Sequence, residues 1–268
     1  MRVLLFTSIL LSFFSSAFSQ SAHGLEKIIV EKYYVSDSAD SKAKSGGYLP
    51  VGSVTYRIYV DLLPTYRFQA AYGVPGHMLI IATTTSFFNN EDDGAAIANS
   101  ISSDKLQNST LMLDSWLSVG AAAENYIGVM KSDDTSKPLV NTKGILYNVD
   151  PSAGIPLSVH DGMFQTKPLS VVTLFGIDSA MLSVFGKKNS NGKEQIFSTD
   201  NGSWASFGGS IGVHPMNRVL IAQLTTDGER SFKLNIQIGT PDGKVENYVA
   251  ENPVGNEILF PGLTFPSQ

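Results

Sequence analysis

The 268-residue sequence contains no cysteine and has few charged residues. Without thiols the chain has no disulfide, no iron–sulfur ligand, no cysteine-based zinc site and no cysteine nucleophile. Charged residues make up 16% of the chain and hydrophobic residues 43%, a balance that excludes an intrinsically disordered protein. We therefore expect a folded protein that depends on a hydrophobic core.

Long hydrophobic runs are also missing, except at the N-terminus. Residues 3–14 are almost all apolar, follow the basic Arg2 and precede small residues at Ala17 and Ser19. This pattern is typical of a secretory signal peptide, so we predict that residues 1–19 are cleaved. The run is too short for a bilayer, which needs about 20 residues, and no later stretch is long enough. We expect neither a transmembrane segment after cleavage nor a lipid anchor, which would need cysteine.

An excess of positive charge is missing as well. The chain has 19 basic and 24 acidic residues, a formal net charge of −5. The densest basic step, Lys187-Lys188, is followed by loop-forming residues and belongs to no larger cluster. A protein without a basic patch repels the phosphate backbone, so we predict no nucleic-acid partner.

Strand-like alternation dominates the rest of the chain. In residues 231–239, every second residue from Phe232 to Ile238 is hydrophobic, which predicts a half-buried strand. Asp227-Gly228 is a strong hairpin signal, so we predict that this strand pairs with residues 218–226.

Further strands are predicted from β-branched and aromatic residues in alternating patterns. They are residues 26–35, 53–61, 66–72, 78–85, 113–119, 170–177, 181–185 and 244–249. At most one short helix is expected, at residues 95–106. The pattern predicts an all-β fold, with residues 20–268 forming a single antiparallel β-sandwich whose sheets each keep one face in solvent.

Two long acidic loops, residues 87–109 and 129–165, are the first candidates for a binding region. The run from Asn89 to Gly94 offers several oxygen ligands on one loop, as calcium requires, although it lacks the EF-hand pattern. A solvated acidic turn is the alternative. The candidate calcium ligands are Asn89, Glu91, Asp92, Asp93, Asp133 and Asp134.

The two tryptophans are the candidate ligand-binding residues. Trp116 and Trp204 both flank polar, turn-like segments, and a flat aromatic ring can stack on a sugar. Tryptophans of β-sandwiches also serve in the core, and both interpretations remain open.

A glycine-rich string at Gly208–Gly212 matches the G-x-S-x-G pattern of the nucleophile elbow. That motif must lead into a helix, which Pro215 prevents. The string therefore predicts a glycine-rich loop, and no catalytic residue is assigned.

Four segments, taken together and in this order, resemble an uncharacterised domain of secreted and cell-surface proteins from gliding-type Gram-negative bacteria, many of them exported by the type 9 secretion system. They are residues 53–61, 68–73, 113–120 and 217–226. The resemblance implies a β architecture and an extracytoplasmic location, and it brings no catalytic residues with it.

Two functions follow as hypotheses. The first is a secreted or cell-surface, non-enzymatic β-sandwich module, structural or adhesive, that binds a cell-envelope protein or glycan through its loops; the periplasm is an alternative location. The second is a calcium-dependent carbohydrate-active protein that binds or hydrolyses glycosides with paired carboxylates, to which Asp161 would contribute.

Overall fold

A computed structural model describes residues 23–136, 140–141, 143, 145–146, 160–167, 169–186 and 195–266. The predicted signal peptide, residues 1–19, lies outside this part of the chain. No helix in the described ranges is long and apolar enough to cross a membrane. The predicted all-β fold is confirmed, because antiparallel strands are the predominant secondary structure of the described residues.

In chain order, the strands and the one α-helix of the described residues are β1 (Leu25–Val35), β2 (Val54–Leu62), β3 (Arg67–Gly73), β4 (Leu79–Thr83), β5 (Trp116–Leu117), β6 (Ala121–Ala123), β7 (Tyr126–Gly128), β8 (Met163–Gln165), β9 (Val172–Phe175), α1 (Ser179–Leu182), β10 (Gln195–Thr199), β11 (Gly202–Ser210), β12 (Asn217–Thr226), β13 (Arg230–Lys233), β14 (Ile236–Gly239), β15 (Val245–Val249), β16 (Ile258–Leu259) and β17 (Thr264–Phe265). Short 3-10 turns lie at Asp40–Lys42, Ala98–Ser100, Ser103–Lys105, Leu111–Leu113, Ser183–Phe185 and Pro261–Leu263.

These strands form four sheets. The central sheet has the order β1-β2-β12-β5, and the six-stranded sheet has the order β16-β15-β14-β3-β11-β9. A lateral sheet, β10-β4-β13-β17, and a small sheet, β6-β7-β8, complete the set. All pairings are antiparallel except that of β15 with β16.

The main hydrophobic core lies between one face of the central sheet and the six-stranded and lateral sheets. Ile58 and Val60 of β2 pack in the same buried cluster as Ile236 of β14, Ile81 of β4 and Phe197 of β10. Side chains from facing sheets thus fill one core, as in a β-sandwich.

The other face of the central sheet is also buried, which corrects the expectation of one solvent-facing side. Successive side chains of β2 point to opposite faces of the sheet. Ile58 and Val60 face the main core, whereas Arg57 and Tyr59 point to the other face and are 1% and 0% exposed. Tyr59 and Leu220 pack in a second core with Met163 and with several buried side chains between Ala98 and Ala123, among them Trp116. An outer layer, formed mainly by residues 98–136 and 160–165, therefore covers the central sheet.

The predicted hairpin across Asp227-Gly228 is wrong. β12 pairs with β2 and β5 in the central sheet, whereas β13 pairs with β4 and β17 in the lateral sheet. The predicted strand 231–239 is itself divided into β13 and β14 around Asn235, whose side chain donates to the carbonyls of Tyr72 and His77. Asp227-Gly228 thus carries the chain between two sheets.

The helix predictions also need correction. Residues 95–106 form only the two 3-10 turns at Ala98–Ser100 and Ser103–Lys105. The predicted strand at residues 181–185 is instead the end of α1 (Ser179–Leu182) followed by the 3-10 turn Ser183–Phe185. The helix α1 begins after Asp178, whose carboxylate accepts a hydrogen bond from the Met181 amide at 2.9 Å and satisfies an otherwise unpaired helix donor.

A buried arginine ties the outer layer to the central sheet. The Arg57 Nε donates to Gln223 Oε1 of β12 at 2.8 Å, and its Nη1 donates to the Gly162 carbonyl at 2.7 Å. The guanidinium also stacks on the Tyr33 ring of β1, with 3.7 Å from Cζ to the ring centroid. Gln223 in turn donates to the carbonyl of Met112 at 3.0 Å.

Glycine is required where the outer layer meets this arginine. Gly162 has a φ of +69°, and a Cβ there would lie 2.6 Å from Arg57 Nη1. A side chain at residue 162 would therefore be strained and would displace the guanidinium.

We predict that Arg57→Met lowers the free energy of unfolding by about 3–5 kcal/mol, because it removes the guanidinium donor to the buried Gln223 Oε1 and one of the two donors to the Gly162 carbonyl. It also removes one of the two positive charges that act on the buried Glu31 carboxylate. Urea unfolding measures the change. Lys44→Met, at an exposed site, is the control and should change stability by less than about 0.5 kcal/mol. A loss below about 1 kcal/mol for Arg57→Met would contradict the role of the arginine.

Candidate binding groove

Two adjoining cavities form a groove at one side of the outer layer. The first has a volume of about 260 Å³ and the second about 480 Å³. Phe164 of β8 and Val213 of the loop between β11 and β12 line both cavities, so these two side chains stand at their junction. We call them the charged compartment and the glycine-rich compartment. Predominantly apolar cavities with a few polar groups are the usual form of a ligand site.

The charged compartment contains an ion pair. Arg218 Nη1 lies 3.0 Å from Asp133 Oδ1 and 2.8 Å from its Oδ2. Arg218 stands on the outer face of the central sheet beside Asp61, and its Nε is 3.4 Å from Asp61 Oδ2. The pairing of β12 with β2 fixes this arrangement, because Arg218 and Asp61 are directly opposite.

The segment that carries Asp133 is held at two further points, one on the central sheet and one within the outer layer. The Lys131 amide donates to Glu31 Oε1 at 2.9 Å, and the Lys131 ammonium lies 3.8 Å from the same oxygen. Asp134 accepts a hydrogen bond from the Gly162 amide at 2.7 Å. Burial raises the pKa of Glu31, against the opposing charge of Lys131. The wall of the charged compartment is therefore held by a network of charged groups.

The glycine-rich compartment is built by an irregularity in β11. Ala205 pairs with Ala70 and Ser210 with Phe68, so β11 has extra residues between these two positions. Gly208 and Gly209 take φ values of +77° and +73°, which allow the chain to bulge.

The structure confirms that the glycine-rich string at residues 208–212 is not a nucleophile elbow. Ser210 ends strand β11, and irregular chain rather than a helix follows it. The loop contains a cis peptide bond between His214 and Pro215. The strand-to-helix turn that exposes a nucleophilic serine is therefore missing at this position.

The tryptophans lie in the core, which corrects their predicted role as ligand-binding residues. Trp116 is 1% exposed and packs in the outer core, and Trp204 is 0% exposed and packs in the main core. Trp204 donates from its indole nitrogen to the Ser118 carbonyl at 3.1 Å. Neither ring presents a face on which a sugar can stack.

Several side chains of the acidic run from Asn89 to Asp93 already form hydrogen bonds or an ion pair within the protein. Asn89 is buried and donates to the Val184 carbonyl at 3.1 Å. Asp92 accepts from the Gly46 amide at 2.8 Å, and Asp93 is paired with the Lys105 ammonium. Glu91 is exposed to solvent.

The described residues of the two acidic regions do not meet in a shared site. Asp133 pairs with Arg218 and Asp134 with the Gly162 amide, while Asp161 is buried and its carbonyl accepts from Tyr33 at 2.7 Å. Within the described ranges, no group of three or more acidic or histidine residues could hold a metal ion. Asp92 and Asp93 therefore do not combine with Asp133 and Asp134 in such a group.

Sequence reasoning named Asp133, which lines the charged compartment, but missed Phe164 and Arg218. Phe164 was inside a segment predicted as a loop, and Arg218 was predicted only as the start of a strand. Alternation places Arg218 on the same outer face as Leu220, and the bulge between Leu220 and Ala222 then returns Gln223 to that face. The contact with Asp133, 85 residues earlier, has no local signal.

One carboxyl outside the groove has a strongly shifted pKa. Burial raises the pKa of Asp40 from 3.8 to about 6, partly offset by hydrogen bonds from the Asp37 amide at 2.7 Å and the Tyr34 hydroxyl at 3.0 Å. Both bonds go to Oδ2, and Oδ1 is buried without a partner among the described residues. Asp40 thus anchors the turn after β1 and lies apart from the cavities.

Comparison of the chain with protein-family models, with curated proteins and with solved structures finds no match.

We predict that Asp40→Asn makes the protein more stable above pH 6 than the unaltered chain. The pKa of Asp40 is higher in the folded than in the unfolded state, so folding takes up a proton and its contribution to stability falls as the pH rises from about 4 to 6. Asparagine keeps an oxygen for both hydrogen bonds and carries no charge. The difference in unfolding free energy between variant and parent should rise by about 1–3 kcal/mol over this range, as measured by urea unfolding at several pH values. A difference that does not vary with pH would contradict the shift.

Proposed function

We propose that this protein is a secreted or cell-surface binding module of the β-sandwich type that holds a glycan of the cell envelope in the groove around Phe164. The groove is the observation on which the proposal depends, because it combines an aromatic ring with planar polar side chains. The extracytoplasmic location rests on the N-terminal signal sequence and on the resemblance described above, and both remain predictions.

The chemistry of the groove suits a carbohydrate. Phe164 is half-buried at the junction of the compartments, so part of its ring is available to the apolar face of a sugar. Arg218 and Asp133 line one side, and Gln165 lines the other. Planar guanidinium, carboxylate and amide groups form hydrogen bonds in fixed directions with neighbouring hydroxyl groups of a sugar.

The same residues favour binding over glycoside hydrolysis. Glycosidases that use two carboxylates place them on opposite sides of the scissile bond, about 5–10 Å apart. Among the described residues that line the groove, Asp133 is the one carboxylate, and it is paired with Arg218. The proposal is therefore a binding module rather than a hydrolase.

We predict that Phe164→Ala lowers the affinity for a bound glycan by about tenfold or more, because the ring is the central apolar contact of the groove. The measurement is isothermal titration calorimetry with a panel of neutral, uronic-acid-containing and sulfated oligosaccharides. Phe207→Ala is the matched control, since Phe207 is 79% exposed and lines neither compartment.

Thermal unfolding of both variants shows whether they fold as the parent does. The proposal is overturned if no member of the panel binds the parent protein. It is also overturned if the two phenylalanine variants lose affinity equally, because the contact would then lie outside the groove.

A further inference from the structure

The glycine-rich compartment has an excess of positive charge in a protein that is acidic overall. Of its described lining residues, Arg67 alone is charged, and the polar side chains of Gln165, Thr166, Ser170 and Ser210 are neutral. The net charge of the whole chain is −5. This compartment therefore differs from the charged compartment, where Asp133 balances Arg218.

Arg67 differs from the other arginines of the described part of the chain. Arg57 and Arg218 are bound to acceptors, and Arg230 stacks on Tyr56 at 3.5 Å from the ring centroid. Arg67 is exposed, and no carboxylate of the described residues lies within 4 Å of its guanidinium. Its charge is thus available to a ligand.

The bulge of β11 lies directly against Arg67. Gly209 approaches so closely that a Cβ on it would be 2.7 Å from the Arg67 Cβ. Only glycine permits this approach at a φ of +73°. The bulge and the arginine therefore form one wall of the compartment.

Ser210 provides a second and independent observation. It is 3% exposed, lines the compartment, and its hydroxyl has no hydrogen-bond partner among the described residues. Its pairing partner Phe68 directly follows Arg67 in β3, and successive side chains of a strand point to opposite faces. Ser210 and Arg67 therefore line the compartment from adjacent strands but from different sides. A buried hydroxyl at a cavity wall normally forms a hydrogen bond, and where the protein offers no partner, a water, an ion or a ligand supplies one.

We propose that the glycine-rich compartment binds the anionic substituent of an acidic glycan, with Arg67 as the cation and the Ser210 hydroxyl as a hydrogen-bond donor. The guanidinium offers two parallel donors, which match the two oxygens of a carboxylate or a sulfate ester. The neutral side chains around it leave this charge uncompensated until the ligand arrives. The inference rests on the proposed function, since it names the chemical class of the glycan held in the groove.

The test is isothermal titration calorimetry with three oligosaccharides of equal length: a uronic-acid chain, a sulfated chain and a neutral chain. Sodium sulfate and sodium acetate are titrated separately. We expect Arg67→Gln to lower the affinity for the preferred acidic chain by about tenfold or more, and Ser210→Ala by about threefold to tenfold. Neither change should alter the weaker binding of the neutral chain. The carboxylate and sulfate chains show which anion the compartment prefers.

Lys44→Gln is the charge-matched control, because Lys44 is exposed and lines neither compartment. If Lys44→Gln lowers the affinity as much as Arg67→Gln, binding follows overall charge and the inference is overturned. If the neutral chain binds best and Arg67→Gln has no effect, the inference is overturned while the proposed glycan function stands. If no glycan binds, but sulfate or acetate binds the parent and not Arg67→Gln, the anion site stands and the glycan function fails.

Discussion

The buried hydrogen bond between Arg57 and Gln223 is the contact on which the outer half of the structure depends. Each side chain is fixed on the central sheet and reaches a different part of the outer layer, Arg57 at Gly162 and Gln223 at Met112. A buried guanidinium is costly unless its donors are satisfied. Gln223 of the central sheet supplies one acceptor and Gly162 of the outer layer supplies another, so the central sheet and its cover stabilise each other.

This dependence explains why the groove lies where it does. The outer layer contains short strands and 3-10 turns rather than a regular sheet, and its backbone groups need partners from the central sheet. The segment with Asp133 is held at Glu31, at Gly162 and at Arg218. Next to these attachments, the bulge of β11 borders the glycine-rich compartment, and Phe164 stands where this compartment joins the charged compartment.

The strand predictions succeeded where alternation was regular and failed where long-range contacts intervened. β2 and β3 lie within one residue of their predicted bounds, because hydrophobic residues alternate along β2 in the sequence and β-forming residues fill β3. The register shift within β3 had no signal in that pattern. β12 departs from strict alternation at a bulge between Leu220 and Ala222, which places Leu220 in the outer core and Ala222 in the main core. The site residues were harder to predict than the strands, because the sequence around Trp116 and Trp204 does not show whether these side chains are buried or exposed.

The sequence by itself determined the all-β class, the position of most strands and the lack of thiol chemistry, because these follow from composition and from local periodicity. It also showed that the chain has too few charged residues to remain unfolded. Only the tertiary structure decided that the polar face of β2 is buried, that the two tryptophans belong to cores, and that Arg67 is left without a carboxylate among the described residues. Those outcomes depend on which distant segments meet, and local periodicity carries no information about partners more than 80 residues away.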